Sequence, residues 1–191
     1  SIFIAEGDPI SIDLQVATSR PVNAMGGTVA YTPNILSADA VTRTGSIIDL
    51  WSEDPIIADA EGEIHWSGGI VEQAVSEKQQ LGKVFTIEMH GAHAGKATLT
   101  MKDGQLLSGD GIGTNVFSGA STLTIYVRAP GTPSPDINKD GELSLADINQ
   151  LYLKTFGSFD PSYDLDQDQD LGWGDVVTLV TLMRSEPSGG K

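Results

Sequence analysis

The sequence predicts a mainly β chain with a small α part: a β-sandwich of about nine strands followed by a small helical domain of two acidic loop–helix repeats. Three observations predict it. Short stretches before residue 130 alternate apolar and polar residues with period two. A segment with three prolines, Ala129 to Pro135, then interrupts the pattern. Beyond it, the tail matches itself when shifted by 28 residues.

The strands come first. In Pro9 to Thr18, Ile10, Ile12, Leu14 and Val16 alternate with Ser11, Asp13 and Gln15, so one face is buried and one is wet. Val84 to His90 repeats the pattern with Phe85, Ile87 and Met89, and it returns at Ala97 to Met101 and Leu123 to Val127. Further strands are expected at Gly27 to Tyr31, Ser46 to Trp51 and Glu63 to Ser67. Thr32-Pro33-Asn34, Gly91 to Gly95 and Gly109-Asp110-Gly111 read as turns between them. The glycines of Gly109 to Gly113 superficially match a dinucleotide fingerprint, but no helical pattern follows, so the segment reads as a loop.

Composition narrows the function. The chain has 191 residues, 26 acids against 11 bases, and a formal net charge of −15. A phosphate backbone would be repelled, which argues against nucleic acid as a partner. No apolar run approaches the roughly 20 residues of a membrane span. With no Cys, thiolate catalysis, disulfides and Cys-ligated metals are excluded. The chain opens at Ser1 without Met or leader, as expected of a piece of a longer protein, and Ser185 to Lys191 reads as a solvated tail. Residues 131–191 hold 11 acids and 4 bases, against 15 and 7 in residues 1–130, so acid density rises at the proline-rich segment. Prolines there favour an extended, stiff connection. The expected division is a sandwich over 1–129, a linker over 130–135 and a second domain over 136–191.

In the tail, Asp136-x-Asn138-x-Asp140-Gly141-x-x-Ser144-x-x-Asp147 falls on Asp164-x-Asp166-x-Asp168-Gln169-x-x-Gly172-x-x-Asp175. A twelve-residue loop that offers oxygens at positions 1, 3, 5, 7, 9 and 12 suits calcium, a hard cation with six to eight oxygen ligands. The first expected set is Asp136, Asn138, Asp140, the Glu142 carbonyl, Ser144 and Asp147. The second is Asp164, Asp166, Asp168, the Asp170 carbonyl, a water at Gly172, and Asp175. Two calcium ions are therefore expected. Position six favours glycine for its left-handed backbone, so Gly141 fits and Gln169 carries strain. An apolar helix pattern follows each loop: Ile148, Leu151, Tyr152, Thr155, then Val176, Leu179, Val180, Met183. A 56-residue tail without disulfides has a small core, so it is expected to fold only with calcium.

On these residues the tail resembles a dockerin, with Asp at the twelfth loop position. The first segment is similar to a cohesin through Gly7-Asp8, Val22-Asn23-Ala24-Met25, Tyr31-Thr32-Pro33-Asn34-Ile35-Leu36, Gly82 to Ile87 and Gly109 to Asn115. The resemblance implies a nine-stranded jelly-roll sandwich and a non-catalytic role in assembling extracellular, often polysaccharide-degrading, complexes. Its implied partner is a dockerin- or cohesin-bearing protein, or the chain's own other module, within one chain or between chains. It places the partner-binding face at Leu145-Ala146 and Trp173-Gly174 of the loops, and at Ala24, Gly26 and Thr28 of the strand before the Tyr-x-Pro-Asn turn. That strand face is expected to be small and apolar. A secreted or cell-surface location follows, since millimolar extracellular calcium suits such loops.

Other residues weigh less. Trp51 and Trp66 offer a sugar-stacking platform, which would make the sandwich a carbohydrate-binding module carried on a dockerin. His90 and His93 have a chelating spacing but no third ligand nearby. Asp59 and Glu61 form an acid pair without a nucleophile or a cleft, so no enzyme is expected.

Overall fold

A computed structural model describes residues 1–71 and 80–185. Nine strands and two helices form among them: β1 (Ile2–Ala5), β2 (Pro9–Thr18), β3 (Val22–Tyr31), β4 (Leu36–Thr42), β5 (Leu50–Ala58), β6 (Glu63–Gly69), β7 (Gln80–Gly91), β8 (Gly95–Ser108), β9 (Leu123–Arg128), α1 (Leu145–Lys154) and α2 (Trp173–Ser185). Of the expected solvated tail, Ser185 ends α2, and residues 186–191 lie outside the described residues.

Two sheets enclose the core. One has the order β1-β9-β8-β3-β6-β5, and the other β2-β7-β4. All neighbours run antiparallel except β1 and β9, which pair in parallel with Phe3 opposite Tyr126. Alternation in β7 turns Phe85, Ile87 and Met89 inward, each no more than 1 % exposed. They meet Ile64, Trp66 and Ile125 of the larger sheet in one cluster. Trp66 and Phe85 cross the gap edge to face at 5.5 Å.

Four expectations are corrected. The strand placed at Ser46 to Trp51 runs instead from Leu50 to Ala58, because Ser46 turns, its hydroxyl accepting the Ile48 N–H. Pro55 is tolerated there because β5 is an edge strand with shifted register between Glu53 and Ile56. The strand expected at Gly27 begins five residues earlier, at Val22. Two strands not read from the sequence, β1 and β4, are short or broken by a register shift at Ala38/Ala40. The proline-rich stretch is not extended throughout. Ala129 to Thr132 forms a turn, with Gly131 at φ 80° and the Thr132 N–H and hydroxyl both donating to the Ala129 carbonyl. The Arg128 guanidinium holds this turn by donating to the Thr132 carbonyl.

The tail has its own small core. Ile137, Leu151, Val176 and Leu179 are buried together, with Leu143, Ile148, Tyr163, Leu165 and Met183 packed around them. α1 begins on a capping box: Ser144 Oγ accepts the Ala146 N–H, while Asp147 accepts the Ser144 N–H. Tyr152, expected on the apolar face, is 42 % exposed and points away from that core.

Candidate metal loops and partner surface

The 28-residue repeat recurs bond for bond in the two loops. Asp147 Oδ1 accepts the N–H groups of Ile137 and Asn138, and Asp175 Oδ1 accepts those of Leu165 and Asp166. Asp147 Oδ2 takes the Ser144 N–H at 2.9 Å, and Asp175 Oδ2 the Gly172 N–H at 2.8 Å. Gly141 N–H donates to Asp136 Oδ2, and Gln169 N–H to Asp164 Oδ2. Glu142 N–H reaches Asp140, and Asp170 N–H reaches Asp168. Each twelfth-position aspartate thus ties the start of its loop to the first turn of its helix, where negative charge is favoured.

Backbone conformation repeats as well. Gly141 and Gln169 lie at φ 83° and 69°, and Lys139 and Gln167 at 61° and 60°. Three of these four are non-glycine residues in a left-handed conformation, which costs roughly 1–2 kcal/mol each. The loops hold the strain because carboxylates accept the surrounding N–H groups.

Four carboxylates are buried, a rare condition for unpaired acids: Asp136, Asp147, Asp164 and Asp175. Asp136, Asp140 and Asp147 each place an oxygen within 4.8 Å of the others, as do Asp164, Asp166 and Asp168. Among the described residues these are the only clusters of three or more potential metal-binding side chains. Asp164 Oδ1 is buried without a hydrogen-bond donor among the described residues. The Asp166 carboxyl is pushed above the usual carboxylate range, by partial desolvation and by the charges of Asp168, Asp175 and Asp164. The donors are carboxylate, amide and carbonyl oxygens, with no nitrogen or sulfur, a set that fits a hard cation. Asn138 and Asp140 also bond each other, Nδ2 to Oδ2 at 2.7 Å. The Ser144 hydroxyl serves as helix cap, and the Glu142 and Asp170 side chains are exposed, which leaves their carbonyls as the loop oxygens.

The expected partner residues of the tail separate into two kinds. Leu145 and Trp173 are each 71 % exposed, so neither belongs to the core. Trp173 packs against Tyr152 at 5.9 Å, and Tyr152 meets Phe156 edge to face at 5.0 Å. Sequence reading missed Phe156, also 71 % exposed, because it lies beyond the α1 pattern. Ala146 is exposed in the first turn of α1. Gly174 has a packing reason to be glycine: a Cβ there would lie 1.9 Å from Asp166 Oδ2.

On the sandwich, Ala24, Gly26 and Thr28 of β3 pair with Gly69, Ser67 and His65 of β6. Gly26 allows close approach, since a Cβ there would lie 2.9 Å from that of Ser67. The face is small but not wholly apolar: Thr28 Oγ1 bonds His65 Nδ1 and Ser52 Oγ bonds Ser67 Oγ.

The remaining candidates have structural roles. Trp66 is 4 % exposed inside the core, so the two-tryptophan sugar platform does not exist, and the Arg43 guanidinium lies over the Trp51 ring. His90 and His93 bond Asp39 and the Asn34 carbonyl respectively and do not converge. Asp59 accepts from Tyr31 Oη at 2.6 Å and from the Ala38 N–H, pinning β3 to β4. The Asp110 carboxylate accepts the N–H groups of Ile112, Gly113 and Thr114, which folds the glycine-rich segment into a loop.

Solved structures with this fold are cohesin modules. A cohesin module from a Clostridium perfringens family 33 glycoside hydrolase has TM-score 0.54 and 8 % identity, over 68 % of this chain and 92 % of that one. A non-cellulosomal cohesin from the archaeon Archaeoglobus fulgidus has TM-score 0.52 and 16 % identity, over 66 % and 86 %. A chain of a type I cohesin–dockerin complex from Clostridium thermocellum has TM-score 0.52 and 12 % identity, over 66 % and 93 %. At such identities the likeness is one of fold. No family model and no curated protein matches the sequence.

Proposed function

We propose that this chain is a non-catalytic, calcium-dependent protein–protein interaction module of the cohesin–dockerin type. The sandwich serves as a receptor-like surface and the tail as a plug, in the assembly of secreted or cell-surface complexes. The observation that carries this reading is the pairing of a cohesin-like sandwich with two carboxylate clusters that repeat bond for bond. Asp136, Asn138, Asp140 and Asp147 would hold one ion, and Asp164, Asp166, Asp168 and Asp175 the other, with the Glu142 and Asp170 carbonyls. Calcium supplies positive charge that offsets repulsion among these carboxylates, so the loops and the helices they start hold their shape.

The aromatic group of Trp173, Tyr152 and Phe156 is then the anchor of the plug, since exposed aromatic clusters of this kind dominate protein interfaces. Its partner is a cohesin-type sandwich, on another protein or on a second copy of this chain. The β3 face at Ala24, Gly26 and Thr28 is the receptor surface for a dockerin-bearing partner. A link to polysaccharide degradation is part of the proposal, supported by the neighbour from a glycoside hydrolase.

Pull-down of partner proteins in calcium, in EGTA, and with Asp136→Ala combined with Asp164→Ala tests the proposal. Capture lost in both EGTA and the double variant supports it. Capture indifferent to both rejects it.

A further inference from the structure

A cleft of about 580 Å³ opens between the two sheets, within the size range of ligand sites. Seven consecutive residues, Leu14 to Arg20, line it. Side chains of a strand alternate between faces, so an unbroken run means that the edge of β2, with its N–H and C=O groups, forms the wall. The only hydrogen-bonded neighbour of β2 among the described strands is β7. Among the described residues no backbone hydrogen bond engages the other edge. A second cleft of about 320 Å³ shares Leu14 and Gln15 and extends the trough back to Ile12. Free strand edges of this kind are templates for pairing with another chain.

The far wall is built rather than loose. Asn115 Oδ1 accepts the N–H groups of Leu106 and Phe117, which fixes the segment that faces β2. The Phe117 ring fills the space a side chain on Gly104 would need, its nearest carbon 2.5 Å from that Cβ position.

Two groups lining the larger cleft lack partners among the described residues. The Trp66 indole lines it, and the Trp66 Nε1–H is buried without an acceptor. Arg20, the only charged residue of that lining, has no ion pair or ring partner. The other described cations of the sandwich are engaged: Arg43 with Asp54, Lys83 with Asp13, Lys102 with Glu63, Lys96 over the Tyr126 ring, and Arg128 with the Thr132 carbonyl. In a chain with 26 acids and 11 bases, a cleft free of Asp and Glu with one unpaired arginine marks a preference for an anion on an apolar body.

We propose that this trough takes an extended, acidic segment of a partner protein, added as a strand along β2. Backbone pairing with residues 12–18 supplies the register. Alternate apolar side chains enter the gap between the sheets, and a carboxylate of the segment pairs with Arg20. This site is separate from the tail loops and from the Ala24–Thr28 face.

Titration calorimetry on the whole chain in calcium tests it, with acetyl-Glu-Val-Glu-Val-Glu-Val-amide as probe. The expected result is saturable binding, weakened at least about tenfold by Arg20→Glu, by replacing Glu with Lys in the peptide, and by methylating alternate peptide nitrogens. The melting temperature of Arg20→Glu stays unchanged, because Arg20 is exposed and unpaired. Absence of binding overturns the proposal, as does binding indifferent to Arg20→Glu or to N-methylation. Decanoate competing with a peptide that tolerates N-methylation also overturns it, since the trough would then be a site for small apolar anions.

Discussion

Asp136 and Asp164 open their loops 28 residues apart, and they differ at one oxygen. Asp136 Oδ1 accepts the Asp140 N–H at 3.2 Å, whereas Asp164 Oδ1 is buried with no donor among the described residues. A buried carboxylate oxygen left this way costs free energy unless a cation meets it. Asp164→Ala is therefore expected to reduce calcium stoichiometry from two to one. The loss at that loop should exceed the roughly 10–100-fold typical of removing an outer-sphere partner. Calorimetry at constant pH measures it; a variant that still binds two ions with unchanged affinity contradicts it.

Gly174→Ala tests the packing of the same loop. In an ordinary helix, glycine to alanine favours the helix by about 1 kcal/mol. Here the added methyl would lie 1.9 Å from Asp166 Oδ2, so the loop carboxylate must move. The expected outcome is weaker calcium binding at the second loop with the first unaffected. A calcium isotherm identical to the parent's would show that Asp166 has freedom the structure does not record.

The aromatic surface of the tail separates binding from stability. Trp173→Ala and Phe156→Ala remove side chains that are 71 % exposed, and each is expected to change stability by no more than about 0.5 kcal/mol. Each should cost partner binding about 2 kcal/mol if the cluster is the anchor. Thermal melts and affinity measured on the same preparations distinguish the two. Loss of stability in step with loss of binding would return these residues to a structural role.

The Tyr31–Asp59 bond gives the sandwich a pH signature. The Tyr31 hydroxyl holds Asp59 below the ordinary carboxylate range, while burial and then the Asp59 carboxylate push the Tyr31 phenol above its own. A depressed carboxyl contributes stability above its unfolded value near 4 and loses it as pH falls through the lower folded value. A raised phenol contributes stability below its unfolded value near 10 and loses it as pH rises beyond. Tyr31→Phe should therefore lower stability by about 1 kcal/mol near pH 7, with the deficit shrinking below pH 4. Denaturant melts at pH 3, 7 and 10.5 check this; an equal deficit at pH 3 and pH 7 contradicts it.

Much of the fold was legible because burial and period two coincide: the alternating residues of β2, β7 and β9 sit where the pattern places them. β1 escaped because four residues, Ile2 to Ala5, are too few to show alternation, and its place is fixed by a distant parallel partner, β9. β5 was misplaced because an edge strand tolerates Pro55 and shifted register, so it carries little period. The loop residues were readable because each oxygen position is dictated by chain geometry within twelve residues. The exposure of Leu145 and Trp173 was not readable, since an apolar residue at a loop end can turn either way until the helices pack. The Tyr152–Phe156 contact and the cleft beside β2 depend on which surfaces packing leaves uncovered, and no local pattern encodes that.

The central claim is that two ions organise the tail while the sandwich stands without them. Amide-resolved NMR of the whole chain, titrated from excess EGTA into calcium, tests it most directly. The account predicts that in EGTA residues 136–185 lose dispersed signals while the sandwich keeps its own, and that dispersion returns with two equivalents of calcium bound. Dispersed tail signals unchanged between chelator and millimolar calcium would contradict it.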